Sequence, residues 1–189
     1  MRRLSILLAL ISCMAVVWAG KQKAALHPFV TSQTMPSSQV RQVYEDREGV
    51  IWLTTFRGLV RYAEGSLRIY RSSLYTPELL PCNNVICVCE DMRQRLWIGT
   101  ENGLSLLDKR TGRIAQIPLP NKQYLRVNEL LVTRNGNVFA GMIRGLIHYN
   151  ETTKQMVEAG LDDINIQSLA EMPNGDILIG TWAVSYTHL

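Results

Sequence analysis

A repeat of roughly 40–45 residues runs through this sequence, and it restricts the possible folds more than any other feature. An aromatic or large apolar residue recurs at steps of 45, 42 and 39 residues, at Trp52, Trp97, Phe139 and Leu178. A Gly-Leu pair recurs with the same first two steps, 45 and 42 residues, starting at Gly58, Gly103 and Gly145. Because two independent markers keep one register, we predict that the chain repeats a single supersecondary unit.

Each unit consists of short apolar segments separated by turn residues, which is the pattern of antiparallel strands. In the first unit these segments predict strands at 40–45, 50–55, 58–62 and 67–71. No amphipathic helix pattern interrupts them. A period of this length with four strands per unit indicates a β-propeller blade, so we expect an all-β fold.

The repeat also predicts the domain organisation. It gives about four blades, at 37–81, 82–124, 125–163 and 164–183, with the last blade incomplete. Val184 stands where the glycine of the Gly-Leu pair should fall, 39 residues after Gly145. Residues 184–189 are therefore expected to be a non-matching or truncated tail, and the sequence to be a fragment of a larger ring with unpaired sheet edges.

Two residue types have predicted structural roles in each blade. The glycines of the Gly-Leu pairs open the third strand after a tight turn, where a positive φ or a close backbone approach suits only glycine. Trp52 and Trp97 stand at the same interior strand position, so we expect them to pack between blades. A ligand-stacking role for these tryptophans is the alternative.

Residues 1–20 have the pattern of a secretory signal. Arg2 and Arg3 precede an uncharged apolar stretch, and small residues follow it at Ala19 and Gly20, where we place the cleavage. A retained membrane anchor is the alternative, although the uncharged run is at the lower edge of the ~20 residues that span a bilayer. Cys13 lies in a lipoprotein-like box, which is a third interpretation. Residues 21–36 are then a linker.

Composition excludes several classes of function. The net charge of +4, from 20 basic and 16 acidic residues, is small and evenly scattered, so the sequence does not predict nucleic-acid binding. Cys82, Cys87 and Cys89 would remain after signal removal, and an odd number cannot pair completely. The histidines have no zinc-site spacing. We therefore expect no metal and no cofactor.

The sequence motif of each unit resembles the two-component-regulator propeller repeat. Its elements are an acidic pair, a turn, an aromatic-Ile-Gly-Thr strand and a Gly-Leu pair, and the best matches are residues 45–59 and 90–104. The resemblance extends from residue 37 to about residue 182. In the third unit Val132-Thr133 replaces the acidic pair, which is a departure from the pattern.

The resemblance implies an N-terminal sensor fragment of a Bacteroidetes hybrid two-component system histidine kinase/response regulator. Such regions precede a β-sandwich domain, a membrane helix, a kinase, a receiver and a DNA-binding domain. The implied role is sensing oligosaccharides in the periplasm, as part of a homodimeric inner-membrane protein that controls polysaccharide-utilisation genes. Nucleic acid would not contact this region, and the membrane would be reached only through a downstream helix or a retained N-terminal anchor. A secreted protein is the alternative.

In a propeller blade, the loop between the second and third strands shares one face with the loop that leads into the next blade. The candidate ligand-binding residues on that face, besides Ile143, are Phe56, Arg57, Glu101, Asn102, Arg144 and Trp182. Planar polar groups suit sugar hydroxyls, and an aromatic face suits the sugar ring. The alternative is that these are ordinary solvated loop residues.

No sequence motif predicts a catalytic centre. The acidic pairs Glu45-Asp46 and Glu90-Asp91 recur at one repeat position, which favours a turn-stabilising role. A secreted propeller enzyme, such as a lyase or a glycoside hydrolase, would need a histidine or a carboxylate pair on the ligand face. His148, in contrast, lies on a predicted strand. We expect no catalytic activity in this fragment, and a scaffold propeller is a further alternative.

Overall fold

The computed structural model describes residues 35–73, 80–120, 125–182 and 187–188, and the regular structure in these residues is entirely β-strand. Blade 1 contains β1 (Val40–Glu45), β2 (Ile51–Thr55), β3 (Gly58–Ala63) and β4 (Ser66–Tyr70). Blade 2 contains β5 (Val85–Glu90), β6 (Arg95–Thr100), β7 (Gly103–Asp108) and β8 (Ile114–Ile117). Blade 3 contains β9 (Val127–Val132), β10 (Val138–Met142), β11 (Gly145–Asn150) and β12 (Gln155–Glu158). Blade 4 contains β13 (Ile166–Glu171), β14 (Ile177–Thr181) and β15 (Thr187–His188).

Every blade is an antiparallel meander whose strands are neighbours in chain order. The first strands β1, β5, β9 and β13 contact one another in succession, so they form the innermost layer. This arrangement is part of a β-propeller that does not close into a ring within this chain, and it confirms the all-β prediction. The expected signal at 1–20 and most of the expected linker and tail lie outside the described residues.

Apolar side chains between adjacent blades form the hydrophobic core. Trp52 is 1% exposed and packs with residues of blade 2, and Trp97 is fully buried among residues of blade 3. A smaller cluster around Leu146 and Ile179 joins blades 3 and 4. The predicted position of both tryptophans between blades is confirmed.

Glycine on the second strand of blades 2 and 3 lets the neighbouring blade approach closely. A Cβ atom at Gly99 would lie 2.7 Å from Val127, and one at Gly141 would lie 2.5 Å from Ile166. Blade 1 has Thr54 at this position, and its hydroxyl donates to the carbonyl of Ile86 at 3.1 Å. The second strand of one blade is therefore joined to the innermost strand of the next, either by a side chain packed closely against a glycine or by a hydrogen bond.

The aspartate of the acidic pair organises the first turn of its blade. Asp46 Oδ1 accepts hydrogen bonds from two backbone amides of the turn, each at 3.0 Å, while Oδ2 accepts the indole N–H of Trp52 at 2.8 Å. In blade 2, Asp91 binds the turn in the same way and accepts from the indole of Trp97 at 3.0 Å. The predicted turn-stabilising role is confirmed, and each aspartate also orients the buried tryptophan of its blade.

A lysine from blade 2 binds three carboxylates at the interface of blades 1 and 2. Lys109 Nζ lies 2.8 Å from Asp46 Oδ2, 2.7 Å from Glu90 Oε1 and 3.3 Å from Glu48 Oε2. Burial alone would raise the pKa of Asp46, but hydrogen bonds from Lys109 and Trp52 hold that pKa below its ordinary value. The interface therefore holds one buried cation against two buried carboxylates and one exposed carboxylate, rather than an isolated ion.

The interface of blades 2 and 3 has the opposite charge polarity at the same place. Glu151 follows β11 as Lys109 follows β7, and its carboxylate pairs with Arg93 and, at 3.2 Å, with Arg95. Arg95 also contacts Asp91 at 2.7 Å, and its guanidinium carbon lies 5.7 Å from the ring centroid of Tyr149. The cation thus comes from the later blade at the first interface and from the earlier blade at the second.

The predicted positive φ of the turn glycines is confirmed, and it gives a first test. Gly58 has φ +127°, and a Cβ there would lie 2.6 Å from the carbonyl oxygen of Tyr70, whereas Gly65 has φ +76° with open space around it. We expect Gly65→Ala to reduce the free energy of unfolding by roughly 1–2 kcal/mol, from backbone strain alone. Gly58→Ala should reduce the free energy of unfolding by roughly 1–3 kcal/mol more than Gly65→Ala, because its Cβ also clashes with the Tyr70 carbonyl oxygen. Urea denaturation of both variants measures the difference, and equal losses would contradict the predicted clash.

Removal of Lys109 tests the buried charge cluster. Lys109→Met leaves Asp46 and Glu90 without their cation, so we expect a loss of roughly 3–5 kcal/mol in unfolding free energy. The control Lys154→Met removes an exposed lysine paired with Glu151 and should cost less than about 1 kcal/mol.

The pH dependence of stability separates the charge effect from a packing defect. Because the pKa of Asp46 is lower in the folded protein, its contribution is complete above about pH 4. It is lost as the pH falls through the folded pKa. Lys109→Met should flatten this acid-side decline, because the pKa of Asp46 then moves toward its unfolded value. If the unfolding free energy of Lys109→Met declines at low pH as steeply as that of the wild type, Lys109 does not set this pKa.

Candidate ligand-binding face

The turns after the second strands share one end of the sheets with the segments that lead into the innermost strands. The backbone N–H of Glu101, in the turn between β6 and β7, donates to the carbonyl of Asn84 just before β5, at 3.0 Å. At the end of β14, the N–H of Trp182 donates to the carbonyl of Asn165 just before β13, at 3.1 Å. We call this end of the sheets the ligand face.

A buried threonine fixes the first two turns on this face. The Thr55 hydroxyl donates to the carbonyl of Gly58 at 2.7 Å and accepts from the N–H of Arg57 at 3.1 Å. Thr100 makes the corresponding bonds to Gly103 and Asn102, at 2.8 and 3.2 Å. The two residues between each threonine and glycine are therefore held on a defined backbone.

The first predicted pair, Phe56 and Arg57, lies exposed on this face. The Phe56 ring is 40% exposed, and the guanidinium carbon of Arg41 lies 4.1 Å from its centroid. The carbonyl of Arg57 accepts from Arg71 Nε at 3.1 Å. Together with residues 35–39, Phe56 and Arg57 line a cavity of about 530 Å³.

The two residues of the second predicted pair, Glu101 and Asn102, have different surroundings. Asn102 is exposed at the tip of its turn. Glu101, in contrast, accepts from Arg126 Nη1 at 3.0 Å and from Asn84 Nδ2 at 3.3 Å. Because Arg126 leads into blade 3, Glu101 joins two blades on the ligand face.

Further hydrogen bonds extend this contact to blade 4. Arg126 Nε donates to Asn128 Oδ1 at 2.9 Å, and Asn128 Nδ2 donates to Asn165 Oδ1 at 3.0 Å. Gln167 Nε2 also donates to Asn165 Oδ1, at 2.6 Å. We call the connected side chains the polar chain, which consists of Asn84, Glu101, Arg126, Asn128, Asn165 and Gln167.

Two more of the predicted residues, Arg144 and Trp182, flank the polar chain. Arg144 pairs with Asp163 at 2.9 Å on the blade 3 side. The Trp182 side chain is 78% exposed, while its backbone is bonded to Asn165. The face therefore combines planar donors and acceptors with exposed aromatic rings.

Glu101 is the one member of the polar chain that was predicted from the sequence. A signal for Asn84, Arg126 and Asn165 was present, because a polar residue directly precedes the Val or Ile that begins each innermost strand. These residues are Gln39, Asn84, Arg126 and Asn165, at the repeat's own steps of 45, 42 and 39. The two strongest markers of the repeat lie on the second and third strands, and the first strand carries only this weaker polar signal.

The histidine considered for catalysis lies on a strand and outside the turns of the ligand face. His148 is half-buried on β11, with its ring centroid 6.1 Å from that of Phe139. In the part of the chain that the structure describes, no group of three or more His, Cys, Asp or Glu side chains could hold a metal ion. Over the same residues, no helix has the length and hydrophobicity that a membrane span requires.

Comparison with known proteins gives a family match for part of the chain. The model of the two component regulator propeller matches residues 34–57 and 79–102. No curated protein matches the chain.

Solved structures with the same fold include the extracellular domains of two proteins described as hybrid two component systems of B. thetaiotaomicron. The first match has 26% identity and a TM-score of 0.65, and it covers 79% of this chain and 22% of that one. The second has 21% identity and a TM-score of 0.66, and it covers 88% of this chain and 25% of that one. This chain thus spans about a quarter of their length or less.

Virginiamycin B lyase from Staphylococcus aureus is also similar in structure. Its match has 12% identity and a TM-score of 0.63, and it covers 82% of this chain and 57% of the lyase. An identity this low shows a common fold and nothing about activity.

The polar chain and the blade interface should differ in their contribution to stability. The Arg126–Glu101 pair is about two-fifths exposed on both sides, with side-chain exposures of 37% and 40%. We expect Arg126→Ala to cost roughly 0.2–1 kcal/mol of unfolding free energy. Arg95→Ala breaks a pair whose side chains are 17% and 3% exposed and should cost roughly 1.5–3 kcal/mol. Thermal or urea denaturation measures both losses. If Arg126→Ala lowers the unfolding free energy as much as Arg95→Ala does, the polar chain has a structural role.

Proposed function

Because residues 34–57 and 79–102 are two-component regulator propeller repeats, we propose that this chain is a ligand-sensing part of an extracytoplasmic sensor region. The similarity to extracellular domains of hybrid two component systems supports this role and this location. Within that proposal, the whole protein is a membrane-spanning, homodimeric hybrid regulator, and this region lies in the periplasm.

The proposed ligand is an oligosaccharide, and the proposed output is control of polysaccharide-utilisation genes. The polar chain carries this proposal, because its amide, guanidinium and carboxylate groups match the alternating donors and acceptors of sugar hydroxyls. Exposed rings at Phe56 and Trp182 supply the apolar surface on which a sugar ring can stack.

The placement of the polar chain suits signal transmission. Its members belong to blades 2, 3 and 4, so a ligand that spans them contacts several blades at once. Such a ligand favours the arrangement of blades that it binds best, and its effect is limited by the difference in affinity between arrangements. The mechanism therefore requires binding and transmission, with no chemical step.

Calorimetric titration with a panel of neutral plant and host oligosaccharides tests the proposal on the full chain. We expect at least one ligand to bind. Arg126→Ala and Trp182→Ala should each weaken that binding by about tenfold or more, because each removes a direct contact with the sugar. Arg110→Ala is the control, since Arg110 is exposed at the opposite end of the sheets.

Two results would count against an oligosaccharide sensor. One is the absence of binding to every member of the panel by a folded chain. The other is binding that Arg126→Ala, Trp182→Ala and the control change to the same extent.

A further inference from the structure

Blade 1 departs from the other blades in one row of side chains on the side that faces blade 2. Trp52, Arg61 and Arg68 are register partners on β2, β3 and β4, so they lie side by side across the sheet. Two arginines therefore stand directly opposite each other on the outer strands.

The equivalent rows in the next two blades contain no such pair. Blade 2 has Leu106 and Ala115 beside Trp97, and Leu106 packs against the core between blades 2 and 3. In blade 3, the two positions beside Phe139 are His148 and Val157. The repeat itself thus shows that a blade does not need two cations here.

An unpaired arginine couple is unfavourable without a counter-charge. Like charges directly opposite on neighbouring strands destabilise a sheet. Among the residues that the structure describes, neither Arg61 nor Arg68 forms an ion pair with a carboxylate. The nearby carboxylates of Asp46 and Glu48 are already bound by Lys109, at 2.8 and 3.3 Å.

The two arginines line a cleft between blades 1 and 2. The cleft has a volume of about 260 Å³, and its other lining residues include the aromatic side chains and the lysine with its two bound carboxylates: Trp52, Tyr70, Lys109, Asp46 and Glu48. The guanidinium carbon of Arg68 lies 5.0 Å from the centroid of the Tyr70 ring. This volume is slightly below the roughly 300–1,000 Å³ of pockets for drug-sized ligands, so the cleft suits a small charged group.

We propose that this cleft binds an oxyanion, a sulfate or carboxylate group held between the guanidinium groups of Arg61 and Arg68. Guanidinium groups bind planar or tetrahedral oxyanions through paired N–H donors, and two of them converge on one cleft. The site is separate from the ligand face, because its turns, at Glu48 and Gly112, lie at the opposite end of the strands. It therefore does not depend on the oligosaccharide proposal.

Calorimetric titration of the full chain at fixed ionic strength tests the site. The probes are sodium sulfate, glucose 6-sulfate, glucuronate and glucose. We expect sulfate or the charged sugars to bind and glucose not to bind at this site. Tighter binding of the charged sugars than of sulfate identifies a sugar-borne group as the ligand, whereas binding of sulfate alone identifies a free anion.

The decisive variant gives blade 1 the residues of blade 2. Arg61→Leu with Arg68→Ala should reduce anion affinity by at least about tenfold. Its thermal stability without anion should be equal to or higher than that of the wild type, because the like-charge repulsion is removed. The matched control is Arg110→Ala with Arg113→Ala, which removes the same charge from two exposed residues of a nearby turn and should retain binding.

Three results would overturn the proposal. They are no anion binding to the wild type, equal weakening in the matched control, and sulfate stabilisation that is the same in the wild type and the double variant. If the double variant is less stable, Arg68→Ala alone replaces it. Arg68 is exposed on an outer strand, and its loss should still weaken binding about tenfold.

Discussion

The hydrogen bond between an aspartate carboxylate and a buried tryptophan indole is the interaction on which the first two blade interfaces depend. Asp46 and Asp91 each accept the indole N–H of the tryptophan six residues later, while they also bind the backbone of the turn between the two residues. The bond satisfies the only polar atom of a large ring that is at most 1% exposed. It also fixes where that ring lies against the next blade. Turn geometry, side-chain orientation and blade packing are thereby set by one carboxylate.

Blade 3 shows how the fold accommodates the loss of this bond. Thr133 replaces the aspartate, and its hydroxyl accepts from the N–H of Asn137 at 3.0 Å, so the turn is still closed. The aromatic residue of this blade is Phe139, which has no polar atom to satisfy. The two substitutions are mutually consistent, because a phenyl ring needs no acceptor. The contact with blade 4 then uses Arg134 and Glu171, at 3.2 Å.

Much of the fold could be predicted because its determinants repeat along the sequence. The first blade was expected to have strands at 40–45, 50–55, 58–62 and 67–71, and each observed strand boundary differs by at most one residue. The turn glycines and interior tryptophans were predictable for the same reason. The polar chain was only partly predicted, because the two hydrogen bonds that join its blades connect residues 25 and 37 positions apart, Glu101 with Arg126 and Asn128 with Asn165. Such pairing depends on how one blade sits against the next, and repeat spacing carries no such information.

Because the charges at the first two interfaces are reversed, each blade fits only its own neighbour, and the sequence specifies the order of the blades. Lys109 fits against the carboxylates of blade 1, while Glu151 fits against the arginines of blade 2. A duplicated blade 2 inserted after the original would place a second lysine beside Arg93 and Arg95. A deletion that joined blade 1 to blade 3 would place Glu151 beside Asp46 and Glu48. Gain or loss of whole blades by recombination is therefore penalised at these interfaces, so this propeller can evolve more easily by substitution than by copying its own repeat.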